Sequence, residues 1–219
     1  IGVEIEVRDE NFLEVMLEKF NGKFPATRTF SEFARGTVNS LSVHDNPDDV
    51  LVAWMEREEV LFRTLERHII GDRLKQGFAD DVDAFISFSL SVQNRRKARA
   101  GSALENHLEF LFRERGIRHS RTAVTEGRSK PDFLFPGHSE YHDPLFPSDR
   151  LSMLGVKSSC KDRWRQVLAE AVRIGRKHLL TLEPGISENQ TREMKAHRVS
   201  LVLPRAIHVS YTAEQQGWL

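Results

Sequence analysis

Apolar residues recur along this chain first at helical spacing and then, past its middle, in short runs bounded by glycine and proline. The opening IGVEIEVRDENFLEVMLEKF passes from a brief apolar and acidic alternation into a helical pattern. In SVHDNPDD the asparagine, proline and aspartates mark a turn and a helix start. Val50 to Lys75 then reads as one long helix, which Gly71 is expected to break near its end. The aspartates of DDVDAFISFSLSV cap a second helix, and the basic stretch NRRKARAG is expected to close it. From Ser102 onward Leu104, Leu108, Leu111 and Phe112 line one face of an amphipathic helix that Gly116 stops. Glu105 and Glu109 lie one turn apart beside that face.

Beyond Gly116 the period shortens. RSKPDFLFPG holds a short strand between two prolines, and RLSMLGVKSS a second. DRWRQVLAEAVRIGRK repeats Trp164, Val167, Leu168 and Ala171 as a helix, followed by HLLTL, a helix over Glu188 to Ala196, and VSLVLP. Strands alternating with helices predict an α/β fold, with one central sheet flanked by helices over 91–219. A mostly helical lobe over 1–90, part of the same body, precedes it. A chain of 219 residues with 39% hydrophobic content is long enough for one sizeable core. No apolar run approaches the ~20 residues of a membrane span and no signal peptide is visible, so a soluble, cytoplasmic protein is expected. The start at Ile1, without methionine, leaves room for an upstream segment.

The net charge is zero, but the halves differ: residues 1–90 carry 10 Lys/Arg against 18 Asp/Glu, and 91–219 carry 22 against 14. The second half is either a polyanion-binding surface or the positive pole of a dipolar protein with solvated faces. Cys160 is the only cysteine, which excludes a disulfide framework and every multi-cysteine zinc site. The 9 histidines are scattered without ligand spacing, and no phosphate-cradling glycine motif occurs, so histidine metal sites and nucleotide cofactors fall away. Cys160, although flanked by Lys157 and Lys161, has no motif-level partner and reads as a buried, neutral thiol.

The remaining chemistry lies at strand ends. Asp132 opens the first short strand and Lys157 closes the second, a carboxylate and an ammonium of the kind that metal-assisted phosphodiester hydrolysis uses. A capped turn and a solvated lysine explain the same pair. Residue 155 shares a strand face with Lys157, where a second carboxylate would be expected, yet Gly155 stands there. Glu170 and Glu105 each flank the apolar face of an expected helix, from which either reaches the site or marks the boundary of the buried face.

SVQNRRKARAG, TEGRSKPDFLFP and VKSSCKDRWRQVLAEA, in this order and spacing, resemble the EcoRII-type restriction endonucleases of the PD-(D/E)XK nuclease superfamily; the likeness runs from KFPATRTFSEF to VSLVLP. By that resemblance 91–219 is the nuclease core, and the 1–90 lobe serves dimerisation and DNA contact. Asp132 matches the metal-binding aspartate and Lys157 the catalytic lysine. Glu170 matches the glutamate that in this branch has moved from strand to helix, which accounts for Gly155, and Glu105 matches a further acidic residue of the active site. Mg2+ is the implied cofactor, with Asp132, Glu170 and Glu105 as ligands. Lys161, Asp162 and Arg163 look like the segment that reads C·G pairs: Arg or Lys donates to guanine and a carboxylate accepts from cytosine. Arg95, Arg96, Lys97 and Arg99 are expected at phosphates. Trp54 is expected either to stack on a base turned out of the duplex or to lie in the core. Tyr141 matches a tyrosine near the active site, although its YHDP context equally suits a turn. The resemblance implies a homodimer cutting double-stranded DNA at a short, C/G-bounded, CCWGG-like palindrome, and a regulatory DNA-binding domain can precede the catalytic one. A non-specific or repair nuclease of the same superfamily, or an inactive DNA-binding module, remains the alternative.

Overall fold

In the computed structural model the described residues are 9–38 and 42–219, without the side chains of 9–11, 161 and 162. The chain divides into two compact units, Ile1–Ser40 with Ala53–Ala103 and Leu41–Val52 with Leu104–Leu219. The division falls within two long helices, α3 (Pro47–Gln76) and α4 (Val82–Glu114).

The first unit is helical. Together with its parts of α3 and α4 it contains α1 (Asp9–Phe20) and α2 (Thr27–Gly36). Met16, Phe20, Phe30, Ala34, Leu61, Phe62 and Leu65 form its core, in which Phe20 meets Phe33 edge to face at 5.5 Å. α3 starts as expected, with Pro47 in its first turn and the Asp49 N–H donating to the Asn46 side chain at 3.3 Å, but it runs through Gly71 without a break. Nor does NRRKARAG close a helix: α4 is continuous for 33 residues across it, Gly101 included. One interior glycine costs a helix about 1 kcal/mol relative to alanine. The alanines and long basic side chains around Gly101 are good helix formers, so the helix persists.

The second unit is built on a five-stranded sheet in the order β1-β2-β3-β4-β5. The strands are β1 (Ser120–Arg121), β2 (Phe133–Phe135), β3 (Ser152–Lys157), β4 (Lys177–Thr181) and β5 (Val199–Val202). β1, β2 and β3 pair antiparallel, whereas β3, β4 and β5 pair in parallel through crossovers, the second carrying α6 (Glu188–Ala196). Short helices α5 (His138–His142), α7 (Arg205–His208) and α8 (Ala213–Gln216) complete the unit. The inner residues of β3 are all buried, as a central strand covered on both faces requires. Around them Leu134, Met153, Trp164, Val167, Leu179, Met194 and Leu201 make the core.

The helix expected over 162–177 is replaced by a 3-10 helix, Lys161–Ala169, after which Glu170 is extended at φ −89°, ψ 147°. Trp164 and Val167 are both fully buried, and in a 3-10 helix residues three apart point the same way. No described helix is long and apolar enough to cross a membrane.

Candidate active site

Because β2 runs antiparallel to β3 with Phe133 opposite Leu154, the residue that precedes β2 comes to lie beside the end of β3. Asp132 is that residue. Its Oδ2 accepts the Val156 N–H at 2.6 Å and the Lys157 Nζ at 3.2 Å, which brings together two residues 25 positions apart. Both side chains are mostly buried, 15% and 18% exposed, so their attraction is little screened by water.

At Gly155 a Cβ would lie 2.8 Å from Val167 Cγ2. The 3-10 helix presses on the strand where another side chain would stand, and this excludes a carboxylate there. Glu170, at the end of that helix, supplies one instead. Burial and the negative charge of Asp132 push the Glu170 carboxyl up to about 7 against the pull of Lys157 and Lys177. Its buried Oε2 has no hydrogen-bond partner among the described residues. Two coupled carboxylates, one with an unpartnered buried oxygen, fit a hard divalent cation that keeps part of its water shell. Among the described residues no three His, Cys, Asp or Glu side chains gather as a metal cage. Glu105 is engaged by an arginine: its Oε2 pairs with Arg121 Nη2 at 2.8 Å, while Arg121 Nη1 holds Glu109 and Asn106, each at 2.8 Å.

The segment after Lys157 leads directly into the 3-10 helix. The side chains of Lys161 and Asp162 lie outside the described residues. Arg163 is exposed and donates from Nη2 to the Ser159 carbonyl at 3.0 Å, whereas Arg165 is held by both oxygens of Glu193 at 2.7 and 2.8 Å. Cys160 is fully buried, and burial with the Glu183 charge pushes its thiol up to about 12, so it stays neutral. Tyr141 is 1% exposed; its hydroxyl donates to Glu126 Oε2 at 2.5 Å and accepts the Arg173 N–H at 3.3 Å. Burial and that hydrogen bond push the phenol up to about 12, so Tyr141 acts as a neutral strut behind the Glu170 turn.

In the first unit, Arg95 lies over the Phe24 ring at 4.5 Å and Arg96 Nη2 pairs with the buried Glu66 at 2.6 Å. Lys97 is exposed. Arg99 is buried, 3.4 Å from Glu58 and also paired with Glu59, so its guanidinium is committed to carboxylates. Trp54 is 6% exposed, with Arg35 above its ring at 5.9 Å.

Two residues of the site region have no counterpart in the sequence reading. Lys177 donates to the main-chain carbonyls of Glu170 and Ala171, and Glu126 accepts from Tyr141 and from the Val172 N–H. In sequence, one is a lysine opening an apolar run and the other an acid beside a glycine. Neither pattern distinguishes a buried role.

Comparison with known proteins supplies the context. A family model described as EcoRII C terminal matches residues 62–219. The type II restriction enzyme EcoRII of Escherichia coli is 43% identical over 213 residues, which cover 96% of this chain and 52% of that protein. The chain thus spans about half the length of the curated relative it matches. Metal-depleted Ecl18kI in complex with uncleaved, modified DNA superposes with a TM-score of 0.69 at 19% identity, over 97% of this chain and 78% of that one. The restriction endonuclease PspGI in its substrate DNA complex gives 0.60 at 15% identity, over 89% and 76%. These two likenesses show a shared fold.

Proposed function

The chain belongs to the EcoRII C-terminal family, and from that premise we propose that it is the catalytic part of a type II restriction endonuclease, a Mg2+-dependent hydrolase of double-stranded DNA. The observation that carries this reading is the meeting of Asp132, Lys157 and Glu170 at the ends of β2, β3 and the 3-10 helix. Asp132 and Glu170 would hold the cation. When bound, it supplies Lewis-acid stabilisation of the phosphate and a water of lowered pKa. The protein does the rest by placement. The Val156 N–H and the Lys157 ammonium fix the Asp132 carboxylate. The same ammonium puts positive charge where the phosphodiester gains negative charge, and it orients the attacking water. Lys161, Asp162 and Arg163 follow Lys157 closely enough that base reading and chemistry share one segment, with the bases a C·G pair of a CCWGG-like site. A homodimer presents two such sites to the two strands of a palindrome.

The test is digestion of plasmid DNA with Mg2+, followed by sequencing of the ends. Discrete fragments ending at one short C/G-bounded sequence are expected. A smear would indicate a nuclease without base reading, and intact plasmid a binding module; either result overturns the proposal.

A further inference from the structure

The Glu170 carboxylate reaches the site from a turn rather than from a strand. Glu170 leaves the 3-10 helix in extended backbone, and Ala171 turns back at φ +48°, in the left-handed region. An alanine stays there only where its surroundings over-determine it. Here the main chain of four consecutive residues is gripped by side chains from elsewhere in the same unit. Lys177 donates to the carbonyl of Glu170 and, at 2.8 Å, to that of Ala171. The Thr125 hydroxyl accepts the Ala171 N–H at 3.4 Å, Glu126 the Val172 N–H at 3.2 Å and the Tyr141 hydroxyl the Arg173 N–H at 3.3 Å. Of these four, only Lys177 grips Glu170 itself.

Lys177 is 6% exposed, and burying an ammonium is costly unless its hydrogen bonds are made. A methionine would fill the same volume with its apolar stem. What the lysine adds is the pair of carbonyl contacts and a positive charge beside Glu170 and Glu126. Had the carboxylate grown from β3, the strand ladder would have fixed it. Displaced to a turn, it needs another anchor.

We propose, resting on the reading of Asp132 and Glu170 as cation ligands, that Lys177 is a positioning residue: by pinning the Glu170 and Ala171 carbonyls it holds the Glu170 carboxylate toward Asp132. The experiment measures Mn2+ binding to the chain through loss of the free-ion paramagnetic resonance signal, for wild type, Lys177→Met, Glu170→Gln and the double variant. Lys177→Met is expected to weaken Mn2+ affinity roughly 10–100-fold, as loss of a ligand's supporting partner does. The double variant should bind no more weakly than Glu170→Gln alone, because Lys177 acts only through that carboxylate.

Lys177→Met that is folded by circular dichroism and binds Mn2+ like wild type overturns the proposal, as does a double variant whose losses add. If instead Glu170→Gln binds like wild type, the ligand reading falls and the positioning role with it, a pattern distinct from failure of Lys177 alone. Should Lys177→Met not fold, Lys177→Gln keeps a polar end on a shorter stem that does not span both carbonyls. A several-fold loss of Mn2+ affinity is expected there, and wild-type affinity overturns the proposal.

Discussion

Gly155→Ala sets two opposed effects against each other at the point where this site departs from a strand-borne carboxylate. The backbone of Gly155 is not left-handed, so replacing it would by itself stabilise the protein by about 0.4–1 kcal/mol through the unfolded chain. The added Cβ, however, would lie 2.8 Å from Val167 Cγ2 and 3.5 Å from Leu179 Cδ1. Carbon atoms pack best at about 3.5–4.0 Å. Val167 is fully buried and part of the core, so it has little room to give. Overpacking of this kind costs about 1–3 kcal/mol. A 2.8 Å contact with a core side chain belongs in the upper part of that range, about 2–3 kcal/mol, so the overpacking wins and leaves a net destabilisation of roughly 1–2.6 kcal/mol, read as a lower urea midpoint followed by tryptophan fluorescence. Because the clash is with one side chain, Val167→Ala in the same molecule should recover part of the loss, with a coupling of about 0.5–3 kcal/mol. Gly155→Ala as stable as wild type, or strictly additive with Val167→Ala, would refute the reasoning. The same clash implies that Gly155→Asp does not restore cleavage to Glu170→Gln.

Arg163→Ala should forfeit about 1–3 kcal/mol of discrimination, hitting cognate DNA much harder than random DNA in parallel titrations at one salt concentration; an unchanged ratio removes the recognition role. Lys97→Ala should weaken binding to both DNAs alike and lower the salt-dependence slope by about 1, while a selective loss at the target contradicts a phosphate contact. Arg99→Ala, by contrast, should cost about 3–5 kcal/mol of stability because it leaves the buried Glu58 without its guanidinium; a shift of the urea midpoint within error counts against that. For Glu170 the folded pKa, about 7, stands above the ordinary carboxylate value, so its contribution favours the folded state at low pH and is lost as pH rises toward 7. In chelator, Glu170→Gln should therefore gain stability relative to wild type between about pH 4.5 and 7, and a pH-independent difference refutes this.

The strands and most helices were legible because their signals are local: prolines around Phe133–Phe135, an apolar run ending at Lys157, and helical spacing from Leu104 to Phe112. Two helix boundaries misled. Gly71 and Gly101 look like breaks in sequence, but each costs a long helix little. The segment looks α-helical in sequence because Trp164, Val167, Leu168 and Ala171 follow the 3.6-residue period; the 3-10 helix keeps Trp164 and Val167 on one face, and Ala171 lies beyond its end. Motif likeness points to Asp132, Lys157, Glu170 and Glu105; in the structure Lys157 pairs with Asp132, the Asp132 charge acts on Glu170, and the Glu105 carboxylate pairs with Arg121. Arg99 shows the limit of reading charge along a chain: Arg95, Arg96, Lys97 and Arg99 look like a set of phosphate contacts in sequence, whereas in the structure Glu66 pairs with Arg96, and Glu58 and Glu59 with Arg99.

The most direct test of the account compares Asp132→Ala and Lys157→Ala with wild type on a DNA fragment that wild type cuts, measuring cleavage in Mg2+ and binding in Ca2+. In the proposed mechanism both side chains serve the cation, the water and the phosphate rather than base identity. Cleavage should fall below detection in each variant, while affinity in Ca2+ stays within several-fold of wild type and the preference for target over random DNA is kept. Wild-type turnover in either variant would contradict the assignment of the Asp132, Lys157 and Glu170 cluster as the catalytic centre.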